Sequence, residues 1–500
     1  MNDSPSREDQ RSQEDIAAIA RGGRTNLFGF FLRLAARIPF LFIAGRAPGY
    51  GPAALGVFAS ALVLIELTAM ICTLGEKRGL AQRLSESDEH PANVIADGSL
   101  IALLASSVMA LVFWFFPAPL FPAGDFTQID RMMVFAIPPL ALTEIWLAAL
   151  AYRFDVGATV RARAIVEPWT ISIVAGVMAL LAPTSGLAVA YLASVYAAAI
   201  AALIPFLRAY GRPRDWRPSL GSMGKLTLRS LPIATADAIE WGTRRLDIFI
   251  LGLFAPPVAV GVYYVAQQIA SLPQKLKTSF EPILGPVITR NLKTRDYAAI
   301  ARQVRQVGFW ILAAQLGVAL ALGIPGEGVM GLVGPQFVGG TGALAFLLTA
   351  EVVAATAVVS EAALIYVARI RNLIVSIATM VLQGLLTIGG ILLMQRLGYD
   401  ELYQAAAAAA ALALALGFAS FAKSWLLASM VSEAINNWRW TLVWAIVPAV
   451  IVGWAATKLP EWAELAFGIP AILAVYFGVL WWKAFRPEDR VLFQKVKSAP

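Results

Sequence analysis

The sequence predicts an all-α polytopic membrane protein of about fourteen transmembrane helices. They group as two six-helix bundles related by a pseudo-two-fold axis along the membrane normal, plus two C-terminal helices. Three observations predict this. Of the 500 residues, 59% are hydrophobic and 14% charged, against about 25% charged in soluble domains. Apolar runs of about 20 residues, the length that crosses a bilayer, recur along the whole chain. The basic residues also segregate to one side of those runs.

Taken in order, residues 1–25 are polar and mixed in charge, carry no secretory-signal pattern, and read as a disordered cytoplasmic tail. The N-terminal bundle, 26–207, holds spans near 26–46, 53–74, 99–121, 131–151, 163–182 and 186–207. A basic cytoplasmic connector fills 208–230. The C-terminal bundle, 231–430, holds spans near 231–254, 257–275, 308–325, 342–367, 372–395 and 403–428. Residues 431–500 add spans near 440–457 and 463–482 and a basic tail. The stretch from 282 to 306 reads as a basic, amphipathic segment lying along the membrane surface.

Orientation follows from loop charge, because Lys and Arg are retained on the cytoplasmic side. Of the 40 basic residues, Arg46, Arg131, Arg396 and Lys458 fall in outer loops, and Arg33, Arg37, Arg244 and Arg245 fall within spans. The remaining 32 of those 40 lie on the side of the termini, which places both ends in the cytoplasm. The net charge of +8 is thereby a topology signal and does not point to nucleic acid.

Two hairpins repeat each other. "RIPFLFIAGRAPGYGPAALGVFASALVLIEL" and "RLDIFILGLFAPPVAVGVYYVAQQIASLPQKL" each open on an Arg and turn at proline. Each then continues through Leu-Gly-Val-Phe (55–58) or Val-Gly-Val-Tyr (260–263), about 205 residues apart. Both start on the inside, so the repeat is parallel, and a substrate site is expected between the halves.

The candidate site residues are the charges within spans, each costing about 2.5–3.5 kcal/mol at mid-bilayer. In "ADAIEWGTRRLDIFILGLF" (236–254), Asp237, Glu240, Arg244 and Asp247 share roughly 80° of one helix face. Arg33 and Arg37 are spaced i,i+4 in the first span. Arg33, Arg37, Arg244 and Arg245 are the candidates for an anionic head group, since guanidinium stays charged and forks onto phosphate. Ion pairs that fasten helices together are the alternative, more so for Arg244 and Arg245, which have acids beside them. Glu66, Asp237, Glu240, Asp247, Glu144 and Glu351 are candidates for ion coupling or charge pairing, with Glu167 and Glu361 as further intramembrane acids. Gln267, Gln268 and Gln383 suit sugar or interhelical hydrogen bonds. His90 reads as a solvated loop residue and Cys72 as a lone apolar thiol, so no metal site and no disulfide framework are expected. No phosphate-binding loop, nucleophile elbow or zinc motif occurs; "GSMGKLT" (221–227) lacks the spacing of the first.

The stretches "GYGPAALGVFASALVLIELTAMICTLGEKRGLAQRL" (49–84) and "LDIFILGLFAPPVAVGVYYVAQQIASLPQKLKTSFEPILGPVITR" (246–290) resemble the polysaccharide-transporter, Wzx-type flippases of lipid-linked oligosaccharides. Their superfamily also holds MATE exporters and the lipid II flippase. The resemblance implies a bacterial inner-membrane transporter, not an enzyme. It would move undecaprenyl-diphosphate-linked repeat units by alternating access, for O-antigen, capsule or exopolysaccharide. It implies basic cavity residues for the diphosphate, at Arg33 and Arg37 and then Arg244 and Arg245. No cofactor is implied beyond coupling to a proton or sodium gradient. Partners would be the lipid-linked glycan, membrane lipid, and the polysaccharide polymerase and chain-length machinery, with no nucleic acid. A MATE-like ion-coupled exporter of small molecules is the alternative. A membrane polymerase or ligase would need a long outer loop, and none is present.

Overall fold

The computed structural model describes residues 38–153, 155–218, 220–278 and 296–486, with residues 288, 291, 292, 294 and 489. All of its regular structure among these residues is helical. In chain order the helices are α1 (38–46), α2 (Pro52–Cys72), α3 (Glu76–Glu86), α4 (Pro91–Phe115), α5 (Gln128–Tyr152), α6 (Gly157–Leu181), α7 (Gly186–Tyr210) and α8 (Leu220–Phe254). There follow α9 (Pro257–Thr278), α10 (Tyr297–Gly323), α11 (Gly326–Val333), α12 (Thr341–Val367), α13 (Arg369–Arg396), α14 (Glu401–Val431), α15 (Thr441–Ala456) and α16 (Glu461–Ala484).

Ten helices among the described residues are long and apolar enough to cross a membrane. The chain is a multi-pass membrane protein. The remaining expected spans are helical but outside that set. Helix α1 is the described part of the first, α8 and α9 carry the charges and glutamines noted above, and α15 has only 16 residues. Helices α4 and α13 show lipid a continuous apolar face, including Leu104, Val108, Leu111 and Phe115 on α4 and Ile370, Ile374, Val381 and Leu385 on α13.

Helix starts differ from the hydropathy reading at three places, and in each the polar residues join the helix. His90 caps α4, its Nδ1 accepting from the Ala92 amide at 3.3 Å, so that helix begins at Pro91 and not near 99. Helix α8 begins at Leu220 and takes in much of the connector. Asp296 caps α10, accepting from the Ala299 amide at 2.8 Å. Residues 297–306 are therefore the first turns of α10, with Ile300, Ala301, Gln303 and Val304 buried and Arg302 exposed. They continue the candidate span Tyr297–Gly323 without a break, where a separate surface segment was expected; residues 282–287, 289, 290, 293 and 295 of that segment are outside the described residues.

The described residues form two compact units, one ending at Tyr264 and the other starting at Val265. In the first, Ile95, Ala102, Ala141, Ile145, Ala149 and Ala202 join α4, α5 and α7 into one apolar core. The chain after α7 is clipped to the start of α4. Asn93 and Arg214 exchange two hydrogen bonds, 2.8 and 3.0 Å, and Trp216 donates to Asp97 at 2.8 Å.

The repeated hairpin turns meet inside this unit. A Cβ on Gly56 would lie 1.7 Å from the Pro257 carbonyl oxygen, and one on Gly261 would lie 1.9 Å from the Pro52 carbonyl oxygen. Pro52 and Gly56 open α2 as Pro257 and Gly261 open α9. The two contacts exchange under the 205-residue offset, so the interlock has local two-fold symmetry. Only glycine lets two helix starts approach this closely.

In the second unit, α15 and α16 pack into the core with α10. Tyr476 is fully buried, its hydroxyl donates to the Ala313 carbonyl at 2.9 Å, and its ring fills the space beside Gly317. Asp489, 1% exposed, accepts from Trp310 Nε1 at 3.1 Å and from Arg439 at 2.5 Å, while Arg439 stacks 3.7 Å over Phe309. Tyr476, Asp489 and Arg439 thus tie the last two helices and their flanking residues to α10.

Candidate functional site

The first unit holds an ionic ladder joining α3, α5 and α6. Helix α6 begins with a wide turn over Val160–Val166. Pro168, which has no N–H to give, follows at the start of the regular helix. This stretch carries Arg163, which reaches Glu144 on α5 at 2.5 Å and Glu167 on its own helix at 2.7 Å. Lys77, at the start of α3, reaches the other oxygen of Glu144 at 2.8 Å. Lys77 is half exposed while the other three are largely covered. The ladder therefore runs from an accessible lysine into the unit.

A second group sits on α2, α8 and α9. Arg245 lies 3.9 Å from Glu66. Asp247, fully buried, accepts a hydrogen bond from the Tyr263 hydroxyl, which ties α8 to α9 across their turn. Tyr191 on α7 is buried and packs edge-on against Phe58 of α2, its hydroxyl making no hydrogen bond among the described residues. Glu76 and Arg83 form a separate buried pair, with Arg83 also donating to the Val94 carbonyl at 3.0 Å.

The sequence candidates fall into three sets. Arg33 and Arg37 lie outside the described residues. Asp237, Glu240 and Arg244 are on the helical backbone of α8, and their side chains lie outside what the structure describes. Glu66, Arg245, Asp247 and Glu144 have the partners given above. In the second unit, Glu351 is buried on α12, Glu361 pairs with the buried Lys423 at 2.9 Å, and both amide atoms of the fully buried Gln383 make no hydrogen bond among the described residues. Among the described residues no group of three or more His, Cys, Asp or Glu is placed to hold a metal ion.

Loop counting assigned Arg163 and Lys423 to the inner surface; the structure largely covers Arg163 and buries Lys423. For Arg163 the signal was present: "RAIVE" (163–167) sets it i,i+4 to Glu167, and an acid beside a span-edge arginine marks a pair that can enter the membrane. Lys423 has no acid within four residues, and only α12 supplies Glu361. Tyr191 gave no sequence signal, since a tyrosine in an apolar helix reads as interface or core.

A family model described as polysaccharide biosynthesis protein matches residues 50–320. No curated protein matches the sequence. Solved structures share the fold at low identity. One is a multidrug-resistance MATE transporter of the MOP superfamily in an inward-facing conformation, at 14% identity and TM-score 0.64, covering 81% of this chain and 98% of that one. The lipid II flippase MurJ, inward closed, is 13% identical at TM-score 0.64, covering 91% and 96%. A MOP-superfamily transporter from Pyrococcus furiosus, whose binding pocket has reversed polarity, is 14% identical at TM-score 0.58, covering 84% and 96%. The fold is the one that these solved structures share.

Proposed function

The chain belongs to the polysaccharide biosynthesis protein family, and from that premise we propose that it is a flippase. Its cargo is an undecaprenyl-diphosphate-linked oligosaccharide repeat unit, carried across a bacterial inner membrane by alternating access for surface polysaccharide. The family match carries this reading, because it covers the second repeated hairpin and the turn and second helix of the first, and its description supports a role in glycan assembly for this fold. The likeness to the lipid II flippase over 91% of the chain supports it as a fold able to carry a lipid-linked head group. Arg33, Arg37 and Arg244 are assigned to the diphosphate, with Arg245 shared between it and Glu66. The loop-charge bias sets both termini in the cytoplasm. The polymerase and chain-length machinery are the expected partners on the far side.

The solved folds favour a second reading, MATE-like export of a small molecule. The ladder of Lys77, Glu144, Arg163 and Glu167 suits coupling to a proton or sodium gradient under either reading. Deletion of the gene followed by lipid analysis separates the two. The flippase reading expects undecaprenyl-linked glycan to build up on the inner leaflet. Normal lipid pools with lowered tolerance to toxic cations would replace it by the export reading. In the complementation assay, Arg33→Ala and Arg37→Ala are expected to abolish rescue at normal protein level; loss of the protein itself would make them structural ion-pair residues.

A further inference from the structure

The first unit has a cavity of about 340 Å³ at the end formed by the turns before α2, after α4, and between α6 and α7. Ligand pockets run from about 300 Å³ upward, so it suits one small polar unit. Its lining is unlike the surrounding membrane-facing surface. Tyr50 and Phe126 supply aromatic faces, Asp125 and Asp130 supply carboxylates, and Thr127 and Thr184 supply hydroxyls. No Lys or Arg is among its described lining residues. The aromatic walls are fixed in place: Phe126 stacks on Phe121 with centroids 4.7 Å apart, and the Tyr50 hydroxyl donates to the Ala175 carbonyl at 3.0 Å.

This combination is the chemistry that holds a pyranose ring. The apolar C–H face of a sugar lies on an aromatic ring, and its hydroxyls donate to carboxylate oxygens. A divalent cation fits less well. Calcium takes 6–8 oxygens, while one Asp130 oxygen already accepts from both the amide and the hydroxyl of Thr127 at 2.8 Å. Two carboxylates with no cation among the lining residues also repel an acidic sugar.

We infer that this cavity is a saccharide subsite selective for neutral or amino sugars over uronic acids, which receives one sugar unit of the cargo at the periplasmic end. The assignment rests on the flippase reading and on the orientation from loop charge. None of the arginines assigned to the diphosphate is among its described lining residues, so it is proposed to grip the glycan and not the lipid pyrophosphate.

The test uses the full chain in lipid nanodiscs and saturation-transfer NMR with three disaccharides: N,N′-diacetylchitobiose, its deacetylated amine form, and digalacturonate. The first two are expected to bind and the third not. Asp125→Ala and Phe126→Ala, which leave the Thr127–Asp130 cap intact, are each expected to weaken binding about tenfold, the loss of one charge-assisted hydrogen bond or one stacked ring. Asp125→Lys is expected to admit digalacturonate. Binding of digalacturonate to the wild type as strong as that of chitobiose overturns the proposal. So does failure of all three sugars, or binding unchanged in both variants. Calcium binding that Asp125→Ala abolishes, with no sugar bound, replaces it with a cation site. Failure of the flippase reading shows separately: sugar binding with normal lipid pools on gene deletion would retain the subsite and change the cargo.

Discussion

Gly56→Ala and Gly261→Ala are each expected to deplete folded protein from the membrane. The added methyl would have to occupy a point under 2 Å from a proline carbonyl oxygen, 1.7 Å in one case and 1.9 Å in the other. Backbone cannot yield as a flexible side chain can, so helix α2 or α9 must shift, at a cost of about 3 kcal/mol or more. Propensity alone argues the other way, since Gly to Ala inside a helix gains about 1 kcal/mol. The sign of the effect is therefore decisive. Gly389→Ala on α13, where a Cβ meets nothing within 4 Å, serves as the control and is expected to be neutral or mildly stabilising. Thermal unfolding of detergent-purified protein, followed by the loss of monodisperse material, reads all three. A rise in midpoint for either Gly56→Ala or Gly261→Ala would mean the two helix starts do not meet.

Arg163→Ala is expected to be nearly as damaging. It removes a group that contacts both Glu144 and Glu167, at 2.5 and 2.7 Å, and leaves Glu167 without this partner and Glu144 with Lys77 alone in a largely covered site. Breaking a buried pair from one side costs about 3–5 kcal/mol, more than the intact pair contributes over an apolar substitute. The loss should therefore be recoverable by removing the stranded charge. Arg163→Ala combined with Glu144→Gln and Glu167→Gln is expected to restore folded protein to near the wild-type level. Comparing thermal midpoints and expression of the single and triple variants tests this. A triple variant no more stable than the single one would show that Arg163 acts through packing and not through charge.

Hydropathy made most of the helices legible, because a bilayer demands long apolar runs and the sequence supplies them at the right spacing. It missed where α8 and α10 begin. Leu220 and Tyr297 open helices through residues such as Lys225, Arg302 and Arg305, and a window tuned to apolar residues stops short of them. The charges of the candidate site were legible as anomalies, yet their partners were not. Arg245 meets Glu66 from another helix, and Asp247 meets a tyrosine. Pairing across helices depends on which faces meet, and a single chain read in order does not contain that. The wide turn at Val160–Val166, which carries Arg163 inward, likewise has no periodic signature strong enough to read in advance. The repeat was visible in the matching Gly-Val steps, but nothing in the residues said that the two copies touch.

That touch has a consequence for how such a chain could have arisen. A contact in which position i of one copy meets position j of the other, and j meets i, is isologous, the arrangement by which two identical subunits recognise each other. Here it lies within one polypeptide, between Pro52–Gly56 and Pro257–Gly261. A half-length ancestor carrying one such hairpin would already hold both faces of a homodimer contact. Fusion of two copies would preserve that contact while freeing the remainder of each to diverge. One copy has since kept a phenylalanine, Phe58, where the other has Tyr263 and its bond to Asp247.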